Sequence, residues 1–229
     1  MGTLLLHEGL REPNKNDEHN EVRQVARVQT LTALRRLDSP RRRAIMEFLY
    51  EAQLIGYFIS GHGEGPDDNA PAIIDMDRAT LQSTDLSRIN LHYANLRGVD
   101  LTNANLWGVN LTNADLRGVD LTNAIVIEAD LTNANLTHAN LTGARMAGAI
   151  LLGAILLGAN LTGALLANAD LTDTDLTYTI LAGADLIGAN LTGADQTRAD
   201  LAEAKVAVEQ LEQAKSLKRA IMPDGSTHP

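Results

Sequence analysis

The sequence predicts an all-β solenoid, a chain wound into a square coil that turns a corner every five residues. From Ala79 to Glu203 it runs as 25 pentapeptides in one unbroken frame: ATLQS, TDLSR, INLHY, ANLRG, VDLTN and on to ADLAE. The central position is Leu in 22 of the 25, with Val126, Met146 and Gln196 as the exceptions. The first position is Ala in 18, the second Asp or Asn in 18, and the fifth Gly or Asn in 16. Composition agrees. The chain is 45% apolar but only 3% aromatic, so its core has to be built from small aliphatics.

A five-residue period suits neither regular element. On a helix the central Leu would advance about 500° per repeat and scatter around the axis. On a strand successive Leu would alternate faces. A corner every five residues returns Leu to the inside each time, and four corners close a turn of twenty. The Ala two residues earlier points the same way and has to be small beside four crowded Leu. Gly or Asn in the fifth position fits the positive φ that a type II turn requires. Asp or Asn beside the corner can bond local backbone groups. Stacked coils then pair as parallel strands about 4.8 Å apart, so about six coils make a rod roughly 30 Å long.

The flanks read differently. Residues 1–18 form a flexible start. Residues 19–56 form a helical hairpin. Its first helix shows an i+3 stripe of Val22, Val25, Val28, Leu31, Leu34 and Leu37. Its second, capped by Ser39 with Pro40 at N1, runs to about Leu54 with Ile45, Phe48, Leu49 and Ala52 on one face and ends at Gly56. Residues 57–78 are linker and entry to the first coil, and 79–203 are the repeat. Residues 204–229 hold a capping helix over about 205–220, then a Pro-Asp-Gly turn and a loose tail. Such caps are needed because an open coil end exposes unpaired backbone.

The A-(D/N)-L-X-X repeat, in phase over 125 of 229 residues, resembles the pentapeptide repeat proteins. That resemblance implies a right-handed quadrilateral β-helix. No Phe interrupts the centres, which implies a uniform, straight tower. The segments ALRRLDSPRRRAIMEFLYEAQLI and EQLEQAKSLKRAIMPDG resemble flanks of cyanobacterial members and imply such a source.

Several classes of chemistry find no support. There is no Cys, hence no disulfide, thiolate metal site or Cys nucleophile. The net charge of −10 argues against nucleic acid and anionic membrane as partners. No apolar run reaches the length of a membrane span, and a cytoplasmic setting is expected. The repeat holds eleven Asp and two Glu, but residues in one repeat position share one solvent-facing environment. Catalysis needs two carboxylates in distinct environments. Asp100 with Asp120, Asp115 with Asn135 and Asp175 with Asp195 should stack, which is the remaining route to an oxygen-ligand ion site. His7, His19, His62, His92, His138 and His228 show no ligand spacing. No phosphate loop or nucleophile elbow is present. No catalytic residue, cofactor or metal site is expected, and the chain is not read as an enzyme.

Function is therefore sought in departures from the repeat. Fourth positions Trp107, Ile127, Ala147, Ala167 and Ile187, with second positions Ile125 and Leu165, form one apolar stripe down a polar tower. Ile150, Leu152, Ile155 and Leu157 extend it around one coil. Such a surface marks contact with a partner protein, a second copy, or the chain's own hairpin, and Trp107 is the natural anchor. Arg145 sits in the stripe, as a salt-bridge former or a tolerated surface residue. Gln196 is placed where an amide can bond the open coil or its cap. Arg35, Arg36, Arg41, Arg42 and Arg43 form a basic elbow, read either as a phosphate, lipid or RNA site or as a solvated loop with helix-end charge. A non-enzymatic interaction scaffold follows. The alternative is DNA mimicry directed at DNA gyrase, implied by the resemblance and by a repeat charge of −8 (five Arg against thirteen acids).

Overall fold

A computed structural model describes residues 17–55 and 75–229, with side chains from Arg23 onward. Residues 1–16 of the expected flexible start, the side chain of Val22, Gly56 and the linker at 60–71 lie outside the described residues, and residues 17 and 18 are helical rather than flexible.

The central Leu lie inside. Leu131, Leu136, Leu141 and Met146 of one coil are fully buried, with Ala134, Ala139 and Ala144 between them. Parallel bridges join residues twenty apart in four walls. The first wall runs Thr80, Asp100, Asp120, Asn140, Asn160, Ile180 and Asp200; the second Asp85, Asn105, Ile125, Arg145, Leu165, Asp185 and Lys205. The third runs from Asn90 to Asn190 and the fourth from Asn95 to Asp195. The anticipated Asp stacks all fall on these ladders.

At each corner the N–H of the next first position returns to the central carbonyl, as Ala104 to Leu101 at 2.9 Å. The fifth residue has positive φ at every corner from Arg78 to Glu203. Thus Tyr178, Arg198 and Glu128 adopt the left-handed conformation that Gly adopts elsewhere. The second-position Asp or Asn locks the turn. Asp120 Oδ1 accepts from the N–H and hydroxyl of Thr122 at 3.0 and 2.6 Å, a pattern repeated along the tower.

The coil starts earlier than the sequence frame suggests. Met76 is buried in the Leu column, Asp75 accepts from Asp77 N–H, and Arg78 has φ 62°. Residues 75–78 are the entry to the first coil. The hairpin consists of α1 (Asp17–Arg36) and α2 (Ser39–Glu51). Only part of the expected α1 stripe is buried: Leu34 is inside, Val25 and Val28 are exposed. An i+3 run drifts around a helix, and Val25, nine residues from Leu34, lies about two and a half turns away on the opposite side. In α2 Met46 and Leu49 are buried and Phe48 is exposed. The N-cap is Asp38, whose side chain accepts from Arg41 N–H, rather than Ser39. Ser39 is used otherwise: its hydroxyl accepts from Asp85 N–H at 2.8 Å.

The expected helix at 205–220 is corrected to a single turn, α3 (Val208–Leu211). Around it the coil continues. Lys205, Lys215 and Ile221 donate to the carbonyls of Ala184, Ala194 and Ala199. The register passes from Asp185–Lys205 to Asp195–Ser216, so α3 adds one residue to this coil. An open row of backbone acceptors outweighs helix propensity over this stretch. The Pro-Asp-Gly turn forms, with Gly225 at φ 82°. The tail is not loose: Thr227 pairs antiparallel with Ile221.

Candidate interaction surfaces

The first coil presents carbonyls and N–H groups with no preceding coil to pair them. The hairpin supplies partners. Arg27 donates to the carbonyls of Asp75 and Asp77, Arg42 to that of Gln82 at 2.8 Å, and Arg43 to that of Ser87 at 2.9 Å. Asn95 N–H donates to the Ile55 carbonyl at 2.6 Å. The hairpin therefore docks on the N-terminal end of the coil. This divides the predicted elbow. Arg42 and Arg43 are occupied by backbone carbonyls. Arg43 also holds Glu47 at 2.9 Å and lies 4.0 Å from Asp85. Arg41 pairs with Asp38 at 3.2 Å, while Arg35 and Arg36 are exposed in the last turn of α1.

At the other end the amide that closes the coil is Gln210. Its Nε2 donates to the carbonyls of Leu186 and Ala189 at 2.8 and 2.6 Å. Gln196, expected in that role, is fully buried, and neither amide atom has a hydrogen-bond partner among the described residues. It occupies an inward central position, where its neighbours above and below are side chains rather than open backbone.

The apolar stripe lies on the second wall, between the hairpin contacts at Asp85 and Ser87 and the Leu186 carbonyl that Gln210 caps. Leu165 is 45% and Ile187 58% exposed. Ile125 and Ile127 are half-buried by their neighbours. Arg145 stands exposed between Ile125 and Leu165 in the ladder, with no ion pair among the described residues. Trp107 ends the stripe and is already held. The Arg88 guanidinium lies 4.0 Å from its ring centroid, and its N–H donates to Glu128 at 3.1 Å. Ile150, Leu152 and Ile155 are exposed on the next two walls.

One second-position carboxylate departs from the expected solvent-facing environment. Asp115 is 5% exposed and accepts from the Arg117 guanidinium, with one contact at 2.8 Å. It lies in a wall rather than a cleft, and its charge is neutralised on the spot. Other carboxylates are tuned by turn chemistry. Hydrogen bonds from Ser87 hold Asp85 below the usual carboxylate range, and hydrogen bonds from Thr197 do the same for Asp195. Sequence reasoning passed over the corner of Tyr178 and Arg198. The available signal was two departures from Gly or Asn twenty residues apart.

The pentapeptide repeats profile matches the chain in eight copies, over 74–113, 94–133, 114–153, 129–168, 154–193 and 169–206. Among solved structures, HetL is described as a pentapeptide repeat protein involved in heterocyst differentiation regulation, from the cyanobacterium Nostoc sp. strain PCC 7120. It is 30% identical over 67% of this chain and 93% of its own, with a TM-score of 0.28. Rfr23 from the cyanobacterium Cyanothece 51142 is 34% identical over 51% of this chain and 84% of its own, with a TM-score of 0.23. QnrB1, a plasmid-mediated fluoroquinolone resistance protein, is 18% identical over 66% of this chain and 87% of its own, with a TM-score of 0.40. Among proteins of curated function none matches. A profile match that runs from 74 to 206, on a coil whose walls pair at twenty-residue spacing, places this chain in the pentapeptide repeat family.

Proposed function

We propose that this protein is a non-enzymatic interaction scaffold whose second wall docks a protein partner. The carrying observation is that Leu165 and Ile187 stand exposed at repeat positions that on the other walls are most often Asp, Asn or Thr. A coil pinned by hydrogen bonds on every wall holds such side chains in fixed relative positions, so little ordering entropy opposes docking. Ile125 and Ile127 form the flatter part of the surface, and Trp107, held by Arg88 and Glu128, its pre-ordered end. Arg35 and Arg36 are the elbow residues left for a second contact. The coil is taken as right-handed, the hand of nearly all crossovers between parallel strands.

Gyrase binding by DNA mimicry is the second reading. The Asp100–Asp120 ladder and the repeat charge of −8 favour it. The apolar second wall interrupts the continuous negative surface that mimicry needs, so the scaffold reading is preferred. Among the described residues no helix is long and apolar enough to cross a membrane.

The test compares wild type with a Leu165→Asp, Ile187→Asp double variant, by sedimentation velocity and by capture from lysate of the source cells. The scaffold reading expects a bound protein, or a dimer, that the variant loses at unchanged melting temperature. Two monomers with identical captured proteins would overturn it. Gyrase retained by both proteins would favour mimicry.

A further inference from the structure

The C-terminal corner between the fourth and first walls carries a surface unlike the rest of this acidic tower. Tyr178, Arg198 and Arg219 occupy successive turn positions of one corner column, with φ of 58°, 60° and 59°. The same column carries Gly at 98, 118 and 158. With Thr197 and Lys218 they line an open cleft of about 380 Å³. Two of its members are tied together. The Arg198 guanidinium donates to the Tyr178 hydroxyl oxygen and lies 5.1 Å from the ring centroid. That contact leaves the phenolic proton free to donate outward and fixes a guanidinium that would otherwise swing in solvent.

The charges in the cleft are unbalanced. Lys205 on the second wall and Lys215 on the fourth face Asp185 at 3.9 Å and Asp195 at 3.7 Å. Arg198, Lys218 and Arg219 have no carboxylate within ion-pair distance among the described residues. No acid lines the cleft. A chain of net charge −10 has acids in excess, yet this corner keeps three cations apart from them. Two guanidinium forks, an ammonium and a phenol supply donors, and no lining residue is a carboxylate. That set matches the three terminal oxygens and the double negative charge of a phosphate monoester better than the single charge of a carboxylate.

We propose that this corner binds the phosphate group of a small phosphorylated ligand. The site is separate from the apolar wall and stands or falls independently of it.

Calorimetric titration of the full chain with inorganic phosphate, and then with glycerol 3-phosphate, tests this. Saturable binding of one equivalent is expected. Arg198→Asn and Lys218→Ala should each weaken it by roughly tenfold or more, the loss of one charge-assisted hydrogen-bonding group. Asn already occupies five of the corner positions, so Arg198→Asn keeps the turn, and an unchanged melting temperature checks the fold. Lys205→Ala, on the second wall and already paired, should leave affinity within about twofold. Tighter binding of glycerol 3-phosphate than of phosphate would indicate an esterified ligand, and equal binding free phosphate. Absence of saturation, or equal affinity in wild type and Arg198→Asn, would overturn the proposal. So would binding confined to a single-stranded oligonucleotide, which would make the corner a polyanion contact.

Discussion

Leu136→Ala probes the inward assignment of the central position at mid-tower. Leu136 is fully buried between Leu116 and Leu156 of its column and between Leu131 and Leu141 of its own coil. The substitution removes three carbons, worth about 2.4 kcal/mol in transfer at about 0.8 kcal/mol each. A cavity remains, because the backbone around it is fixed: Leu136 N–H donates to Ile155 at 2.7 Å, and Asn135 N–H to Ala114 at 2.9 Å. At about 24 cal/mol per Å³, a residual void of 60–100 Å³ adds roughly 1.5–2.4 kcal/mol. The total of about 4–5 kcal/mol should lower the melting temperature by roughly 8–20 °C for a chain of this size. Urea titration followed by circular dichroism measures it. Solenoids unfold by neighbouring units, so hydrogen exchange across the central coils should accompany the melt. Ile187→Ala, at an exposed position, is the control and should cost under about 0.5 kcal/mol. A loss below about 1 kcal/mol for Leu136→Ala, or equal losses in the two variants, would refute the assignment of Leu to the interior.

Other consequences follow from the corners and the N-terminal cap. Gly118 has φ 64° with open space where a Cβ would stand. Gly118→Ala should cost about 1 kcal/mol in urea titration and Gly118→Asn less, a difference set by the left-handed backbone alone. Arg43→Ala strips a donor from the Ser87 carbonyl and frees Glu47; it should cost about 1–3 kcal/mol, with exchange accelerating first in the N-terminal coil. Asp85 is held below the usual carboxylate value of 3.8 in the folded chain, first by Ser87. A depressed folded pKa adds stability that is present above the unfolded value and lost as pH falls through the folded one. The fall in melting temperature below about pH 4 should therefore be shallower in Asp85→Asn than in wild type, and parallel acid limbs would contradict this.

The tower was legible because its period acts on every residue alike. The left-handed corners extend to Arg88, Tyr93 and Glu128, whose own preferences oppose that conformation. Twenty-residue spacing alone anticipated the ladders. The ends were not legible for a physical reason. The hairpin adds Leu34, Met46, Leu49 and Ile55 to the apolar core and is oriented by Arg27, Arg42 and Arg43 on backbone carbonyls, and a carbonyl has no sequence identity to match. The same blindness produced the helix expected at 205–220. Its local pattern is helical, but the acceptors of Ala184, Ala194 and Ala199 recruit it as coil. Gln196 and Gln210 differ only in where the coil edge falls, and the inserted turn α3 decides that.

A repeating wall cannot by itself create a singular site, since each coil offers the same Asp, Thr and Gly to solvent. Singularity arises where departures from the repeat coincide at twenty-residue spacing. Ile125, Arg145 and Leu165 are neighbours for this reason, although they lie twenty residues apart along the chain. Tyr178, Arg198 and Arg219 meet in the same way, the last at a spacing of twenty-one because α3 intervenes. Linear motifs therefore carry little information in this architecture. The functional unit is a column of exceptions read across coils, and a substitution that returns one member to the repeat residue should weaken its column while leaving the coil intact.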